Sequence, residues 1–167
     1  MKITKLNQCS DAEFASALAT IFEHSPWVGE AVCSLRPFDT VNELHKNMCS
    51  AVDQASDDLQ LALIKAHPDL AGKAALSGEL TQESTSEQAG AGLDRLNAEE
   101  YEIFHQLNDQ YQSKFGFPFI IAVKGHDKHS ILESFKTRIE NSIEVEKQTA
   151  LEQIYRIAKF RLDDLVS

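Results

Sequence analysis

A chain of 167 residues with 43% hydrophobic and 25% charged residues has an ordinary globular composition and is long enough to bury a substantial core. Its 16 basic and 26 acidic residues give a formal net charge of −10, which argues against a nucleic-acid partner because phosphate binding needs a basic surface. The chain has three cysteines and no C-x-x-C pair, which predicts free thiols in a reducing compartment rather than a zinc site.

We find no recognisable targeting signal at either end of the sequence. The N-terminal segment lacks the apolar core of a secretory signal, and no apolar run approaches the roughly 20 residues that a membrane span needs. The final tripeptide, Leu165-Val166-Ser167, is not a peroxisomal signal. We therefore expect a cytoplasmic protein that does not contact membranes.

Nearly every periodic segment has the spacing of an amphipathic helix. Capping-box patterns begin at Ser10 and Thr40, where a hydroxyl stands three residues before a glutamate. Pro68 ends one helix, because its ring disfavours the helical conformation at His67. After the helix that begins at Ser10, the predicted helices run, in chain order, from Thr40 to about Val52, over 56–66, from Asn97 to about Lys114, from Asp127 to about Asn141, and from about Ile143 to Leu165.

One apolar run, at about 115–123, does not have helical spacing. It resembles a strand, but no second good strand exists to pair with it, so we expect a buried extended segment. Its backbone N–H and C=O groups need partners, and a polar ligand could supply some of them. Since the chain has no repeat, linker or boundary, the predicted architecture is an all-α, single-domain helical bundle over 1–167 with this one extended segment.

Arg161 lies on the apolar stripe of the last predicted helix. Counting by three and four places it one turn from Ala158 and one turn from Leu165. A guanidinium stays charged at neutral pH, and burying it alone is costly. We therefore expect Arg161 to meet a carboxylate of the protein or of a ligand, with bidentate geometry.

His67 lies where the helix over 56–66 ends, one turn after Leu63. The negative end of the helix dipole favours imidazolium there, and imidazolium is able to donate a proton. A histidine in this place also caps helices by binding backbone carbonyls. The position alone leaves both the proton-donating and the capping role open.

The stretch Ser84-Thr85-Ser86-Glu87 has capping-box spacing, with Ser84 as the N-cap. A capped helix start can also present Glu87 and Gln88 to a ligand, and the Gln88 amide offers both a donor and an acceptor. Both interpretations stay open here. Taken with His67 and Arg161, this polar set suits binding and proton transfer on a small, polar, anionic molecule.

Four stretches carry a family resemblance over nearly the whole chain. They are His67-Pro68-Asp69-Leu70, Ser84-x-x-Glu87-Gln88 with Ala89 to Leu93, Phe115-Gly116-Phe117-Pro118-Phe119-Ile120, and Ile154-x-x-Ile157-x-x-x-Arg161-Leu162. In this order and spacing they resemble the 2-oxo-4-hydroxy-4-carboxy-5-ureidoimidazoline (OHCU) decarboxylases. The resemblance implies an all-α, commonly dimeric enzyme of urate breakdown that forms (S)-allantoin and CO2 without a metal or any other cofactor.

The resemblance also implies roles for individual residues. His67 is expected to donate the proton, with Glu87 and Arg161 holding the substrate beside it in one small cavity. The implied substrate-binding set is Pro68, Ser84, Thr85, Ser86, Glu87, Gln88, Phe119, Ile120, Ile121, Ala122, Val123 and Arg161. No transthyretin-like hydrolase segment accompanies these motifs, so the preceding step is expected to need another chain.

Two rival interpretations stay open at this point. In the first, the chain is a helical binding or adaptor module, with His67 and Ser84 as caps and Arg161 in an internal ion pair. In the second, it is a lyase or hydrolase acting on a related ureido compound.

Overall fold

The all-α prediction is confirmed by the structure, a computed structural model that describes residues 1–167 except for the side chains of 73 and 74. No strand occurs in the described chain. The helices are α1 (Ile3–Asn7), α2 (Asp11–Leu18), α3 (Trp27–Ala31), α4 (Val41–Asp53), α5 (Asp57–Ala66), α6 (Lys73–Ser77), α7 (Gln82–Gly90), α8 (Ala98–Phe115), α9 (Lys128–Arg138) and α10 (Ile143–Leu165), with a 3-10 turn at Cys33–Leu35.

Local capping fixes the starts of several helices. At α2 the Ser10 hydroxyl accepts the Glu13 N–H, and the Glu13 carboxylate accepts the Ser10 N–H in return, as predicted. At α4 the Thr40 hydroxyl accepts the Glu43 N–H at 3.1 Å, but the Glu43 carboxylate accepts the N–H of Asp39 at 2.7 Å. The second box is therefore shifted by one residue in its return bond.

The described chain divides into two compact units, 1–66 with 154–167 and 67–153. In the first unit, α1 to α5 and the C-terminal part of α10 surround a core that includes the stacked rings of Phe14 and Phe38, 6.3 Å apart. The Arg36 guanidinium covers the Phe14 ring at 4.7 Å. One domain over 1–167 stays a prediction.

The second unit is built around Tyr111 of α8. Its ring is fully buried and meets four phenylalanine rings at centroid distances between 4.5 and 6.0 Å. These are Phe115, Phe117, Phe119 and Phe135. Tilted and edge-on rings at such distances stabilise a core beyond the area that they bury.

The predicted buried extended segment is confirmed and lies in this second unit, but it begins at Phe117 because Phe115 still belongs to α8. Helix α8 ends at Phe115 because Gly116 adopts φ +76, a left-handed conformation that suits glycine. No helix or strand follows until α9, and residues 117–123 are all buried. Among the described residues, no helix is both long and apolar enough to cross a bilayer.

Candidate functional site

His67 begins the second unit directly after α5. The helix ends at Ala66, in agreement with the prediction that Pro68 stops it. The His67 side chain is 7% exposed. A titratable ring is therefore buried at the end of a helix.

In the part of the chain that the structure describes, three side-chain hydrogen bonds hold the loop that follows His67. The Gln88 amide takes two of them, since its Oε1 accepts the Ala71 N–H at 3.0 Å and its Nε2 donates to the Asp69 carbonyl at 3.2 Å. The Asn108 Nδ2 donates to the Leu70 carbonyl at 2.9 Å. Three successive residues are thus fixed by side chains of α7 and α8, and we call 69–71 the clamped loop.

The clamped loop has an unusual backbone. Ala71 has φ +51, in the left-handed region that residues with a Cβ rarely adopt. Gly72 follows it, and a Cβ there would lie 2.7 Å from the Asp69 Cβ. Such strain persists only where surrounding contacts determine the conformation, and it is concentrated at functional sites.

Burial and nearby charges change the pKa of Asp69, the first residue of the clamped loop. Burial raises the pKa of the Asp69 carboxyl, and the nearby Asp109 charge raises it further, while His105 lowers it. The His105 ring lies 3.4 Å from the Asp109 carboxylate. Asp69 therefore takes up a proton more readily than an exposed aspartate does.

The predicted N-cap of α7 is wrong. The helix begins three residues earlier than the Ser84 pattern indicates, because the Thr81 hydroxyl accepts the Ser84 N–H at 3.2 Å. Ser84 is itself inside the first turn and is 4% exposed. Thr81 stands three residues before Ser84, just as Ser84 stands three residues before Glu87. The spacing therefore allows a helix to start at either hydroxyl.

The five polar residues predicted on α7 fall on different faces. Ser84 and Gln88, four residues apart, are buried, and Glu87 beside them is half-buried. Thr85 and Ser86 are exposed, and the Thr85 hydroxyl donates to the Thr81 carbonyl. Ser84 and Gln88 therefore share the interior face, while the substrate-binding role of all five stays a prediction.

We expect Thr81→Ala to lower the free energy of unfolding by about 0.5–2 kcal/mol, the usual cost of losing an N-cap. Urea denaturation of the purified protein measures this change. Thr137→Ala is the matched control, since Thr137 is an exposed threonine inside α9 and does not cap it. An equal effect of both substitutions would contradict the assignment of Thr81 as the cap.

The extended segment is held by side chains instead of by a neighbouring strand. Arg138 Nη1 donates to the Ile120 carbonyl at 2.6 Å, and the Gln153 Oε1 accepts the Ala122 N–H at 3.0 Å. The Arg138 guanidinium also covers the Phe119 ring at 4.3 Å. The predicted lining residues Phe119, Ile120, Ile121, Ala122 and Val123 all lie in this buried segment.

A fully buried carboxylate, Glu146, fixes Arg138 in turn. Its Oε1 accepts hydrogen bonds from Arg138 Nε at 2.9 Å and from the Tyr111 hydroxyl at 2.6 Å. Its Oε2 accepts from Asn141 Nδ2 at 3.0 Å. Burial and this hydrogen bond to Glu146 raise the pKa of Tyr111, so its hydroxyl remains a donor.

Arg161 meets a carboxylate of the protein, one of the two outcomes expected for it. Its Nη2 lies 2.8 Å from Glu23 Oε2, and its Nη1 donates to the Thr20 carbonyl at 3.1 Å. Glu23 is 1% exposed. This pair belongs to the first unit, whereas His67 and Glu87 belong to the second, and convergence of the three on one cavity stays a prediction.

The cysteines and the possible metal ligands of the described residues were also located. All three cysteines are free, as predicted, and burial raises the pKa of Cys49 to about 12, which disfavours the nucleophilic thiolate. No group of three or more His, Cys, Asp or Glu side chains among the described residues could hold a metal ion.

Sequence reasoning did not single out Asn108 as a site residue. It lies on the buried stripe of α8 with Phe104, Tyr111 and Phe115. An amide on an apolar stripe is the same kind of signal that identified Arg161, because a buried polar group needs a partner. Its partner, the Leu70 carbonyl, lies 38 positions earlier in the chain.

The family model of OHCU decarboxylase matches residues 7–163. That match includes α2 to α9, the clamped loop, the extended segment and nearly all of α10. The chain therefore belongs to the OHCU decarboxylase family.

Individual relatives agree with this assignment. The chain is 41% identical over 167 residues to the OHCU decarboxylase of Haloferax volcanii, covering 100% of this chain and 97% of that protein. It is 44% identical over 162 residues to the uric acid degradation bifunctional protein PucL of Bacillus subtilis, and it spans only 32% of that relative's length. A crystal structure of (S)-allantoin synthase superposes with a TM-score of 0.81 at 32% identity, over 99% of this chain and 54% of that chain.

Proposed function

We propose that this member of the OHCU decarboxylase family converts OHCU to (S)-allantoin and CO2, with His67 as the proton donor. The observation that carries the proposal is a buried histidine at the end of α5, next to a loop that Gln88 and Asn108 fix in place. The relative from Haloferax volcanii that bears the decarboxylase name matches this chain over its full length.

The substrate contains its own acceptor for the electrons released when CO2 leaves. The carboxylate and a hydroxyl share one ring carbon, and the neighbouring carbon carries the ureido group and a C=N bond. As the carbon–carboxylate bond breaks, its electron pair forms a C=C bond, and the C=N pair moves onto nitrogen, which takes a proton. No metal, pyridoxal phosphate or thiamine is needed to hold these electrons.

The second half of the reaction sets the stereochemistry. The ring hydroxyl loses its proton and becomes a carbonyl, while the ureido-bearing carbon takes up a proton. Before that transfer this carbon is planar, so an acid fixed on one side decides the product's handedness. We assign this transfer to the side chain of His67, since an imidazolium is a competent general acid near neutral pH.

The other predicted residues hold the substrate for this transfer. Glu87, half-buried in the second turn of α7, is proposed to accept hydrogen bonds from the ring or ureido N–H groups. Arg161 is proposed to bind the substrate's anionic group, and its five N–H donors make pairing with Glu23 compatible with this contact. The remaining contacts are assigned to Pro68, Ser84, Thr85, Ser86, Gln88 and the backbone of Phe119, Ile120, Ile121, Ala122 and Val123.

Purified protein given freshly generated OHCU is expected to form (S)-allantoin alone, because protonation by a fixed acid is one-sided. Chiral chromatography or circular dichroism of the product measures the handedness. A parallel sample that has been chelated and dialysed is expected to keep its rate. Racemic product at the uncatalysed rate would favour the helical binding module, and a rate restored only by added metal would overturn the cofactor-free mechanism.

We also propose that the chain works in the cytoplasm as a homodimer, without nucleic-acid or membrane partners. Three free cysteines are consistent with a reducing compartment. The net charge of −10 disfavours binding to nucleic acid. The dimer is carried over from the family resemblance and is tested by the mass of the purified protein in solution.

A further inference from the structure

Asn108 is the polar member of an otherwise aromatic stripe. The buried residues of α8 are Phe104, Asn108, Tyr111 and Phe115, spaced four, three and four apart. Asn108 is 6% exposed, so nearly all of its amide is removed from water. A leucine of the same shape would suit the stripe better, since an amide gains from burial only where it has hydrogen-bond partners.

The contact of Asn108 fixes which way its amide faces. Its Nδ2 donates to the Leu70 carbonyl at 2.9 Å, which directs Oδ1 away from that carbonyl. In the described structure Oδ1 is buried without a hydrogen-bond partner. The Asn108 amide therefore pairs its donor with the loop, while its own acceptor stays unpaired. A buried unpaired acceptor in a native protein calls for an explanation beyond stability.

The loop that Asn108 holds is the one next to the proposed acid. Leu70 lies three residues after His67, between the two residues that Gln88 binds. Ala71 is held at φ +51, a conformation that persists only where surrounding contacts determine it. The Asn108 bond is the middle one of the three that fix this conformation.

Resting on the proposed function, we propose that Asn108 is a positioning residue that determines the face from which His67 delivers its proton. It acts through the Leu70 carbonyl and does not itself touch the reacting atoms. When the clamped loop is fixed, the imidazole meets one side of the planar carbon. When the loop is loosened, proton transfer from His67 slows, and protonation from solvent competes on either face.

Asn108→Leu tests this inference because leucine keeps the branching and heavy-atom count of the side chain. The substitution removes the buried acceptor without a partner but also takes this donor from the Leu70 carbonyl, so the melting temperature is expected to fall by less than in Asn7→Leu, which loses two bonds. We expect kcat to fall about ten- to a hundredfold, because misplacing a reacting group by about 1 Å costs up to about a hundredfold, while KM stays nearly unchanged. The enantiomeric excess of (S)-allantoin is expected to fall with kcat.

Ala71→Gly tests the same loop without altering Asn108. Glycine adopts positive φ readily, so it removes the backbone strain and gives the loop more freedom. The same fall in enantiomeric excess is expected, with the protein folded. This variant keeps the inference testable if Asn108→Leu does not fold.

Asn7→Leu is the matched control in the first unit. Asn7 Nδ2 donates to the Phe38 carbonyl at 2.8 Å, and its Oδ1 accepts the Phe38 N–H at 2.9 Å. The same substitution there removes two loop-holding bonds, so the melting temperature is expected to fall while the enantiomeric excess stays at the wild-type value. Equal loss of handedness in Asn7→Leu would overturn the assignment.

The outcome for the wild type separates this inference from the function on which it rests. Racemic product from wild-type protein would contradict the proposed function itself. A different result would contradict only the role of Asn108. In that case the wild type gives a single enantiomer, and both Asn108→Leu and Ala71→Gly keep the wild-type kcat and handedness.

Discussion

His67→Asn is expected to abolish enzymatic formation of (S)-allantoin from OHCU while the protein stays folded. Asparagine fills much of the imidazole's space and forms hydrogen bonds, but it does not donate a proton at neutral pH. General acid–base catalysis typically contributes about 10²–10⁴-fold, so the rate should fall by at least that range's lower bound. The measurement is the initial rate of chiral product formation.

His129→Asn is the matched control for this variant. His129 is an exposed histidine in the first turn of α9, in the same compact unit as His67. Its replacement is expected to leave both rate and handedness unchanged. Near-wild-type turnover by His67→Asn, with an unchanged circular dichroism spectrum, would remove His67 from its role.

Glu146→Ala is expected to cause the largest loss of stability, about 3–5 kcal/mol of unfolding free energy. The Glu146 carboxylate is 0% exposed and accepts hydrogen bonds from Arg138, Tyr111 and Asn141. Removing it leaves the Arg138 guanidinium buried without its counter-charge, which costs far more than the net value of the pair. Urea denaturation followed by circular dichroism gives the difference.

Glu144→Ala provides the comparison on the same helix. Glu144 is exposed in the first turn of α10, where a negative charge adds little stability. Its replacement is expected to change the unfolding free energy by no more than about 0.5 kcal/mol. Similar losses for the two variants would mean that the buried network around Glu146 contributes no more than an exposed charge does.

Helix starts were predictable where one local pattern was available. The Ser10 box and the start of α8 at Asn97 are confirmed, and in both cases the capping partners lie only three residues away. The start of α7 was predicted wrongly because Thr81 and Ser84 both offer a hydroxyl at the required spacing. Local chemistry permits either start, and only the packing of the folded chain decides between them.

Partners distant in sequence were not predictable from spacing. The Arg161 pattern indicated a buried charge that needs a carboxylate, and the structure supplies Glu23, 138 positions away. Glu146 gave no such signal, since a glutamate in a helix's first turn usually faces solvent. The same holds for Asn108, whose stripe position was visible while its bond to Leu70 was not.

The extended segment at 117–123 has a consequence for how this region tolerates mutation. In a sheet, neighbouring strands supply backbone partners whatever their side chains are. Here the Ile120 carbonyl and the Ala122 N–H depend on one arginine in α9 and one glutamine in α10. Substituting Arg138 or Gln153 is therefore expected to disturb the backbone of the segment, although neither residue lies in it. Substitutions within the segment leave these two backbone groups in place.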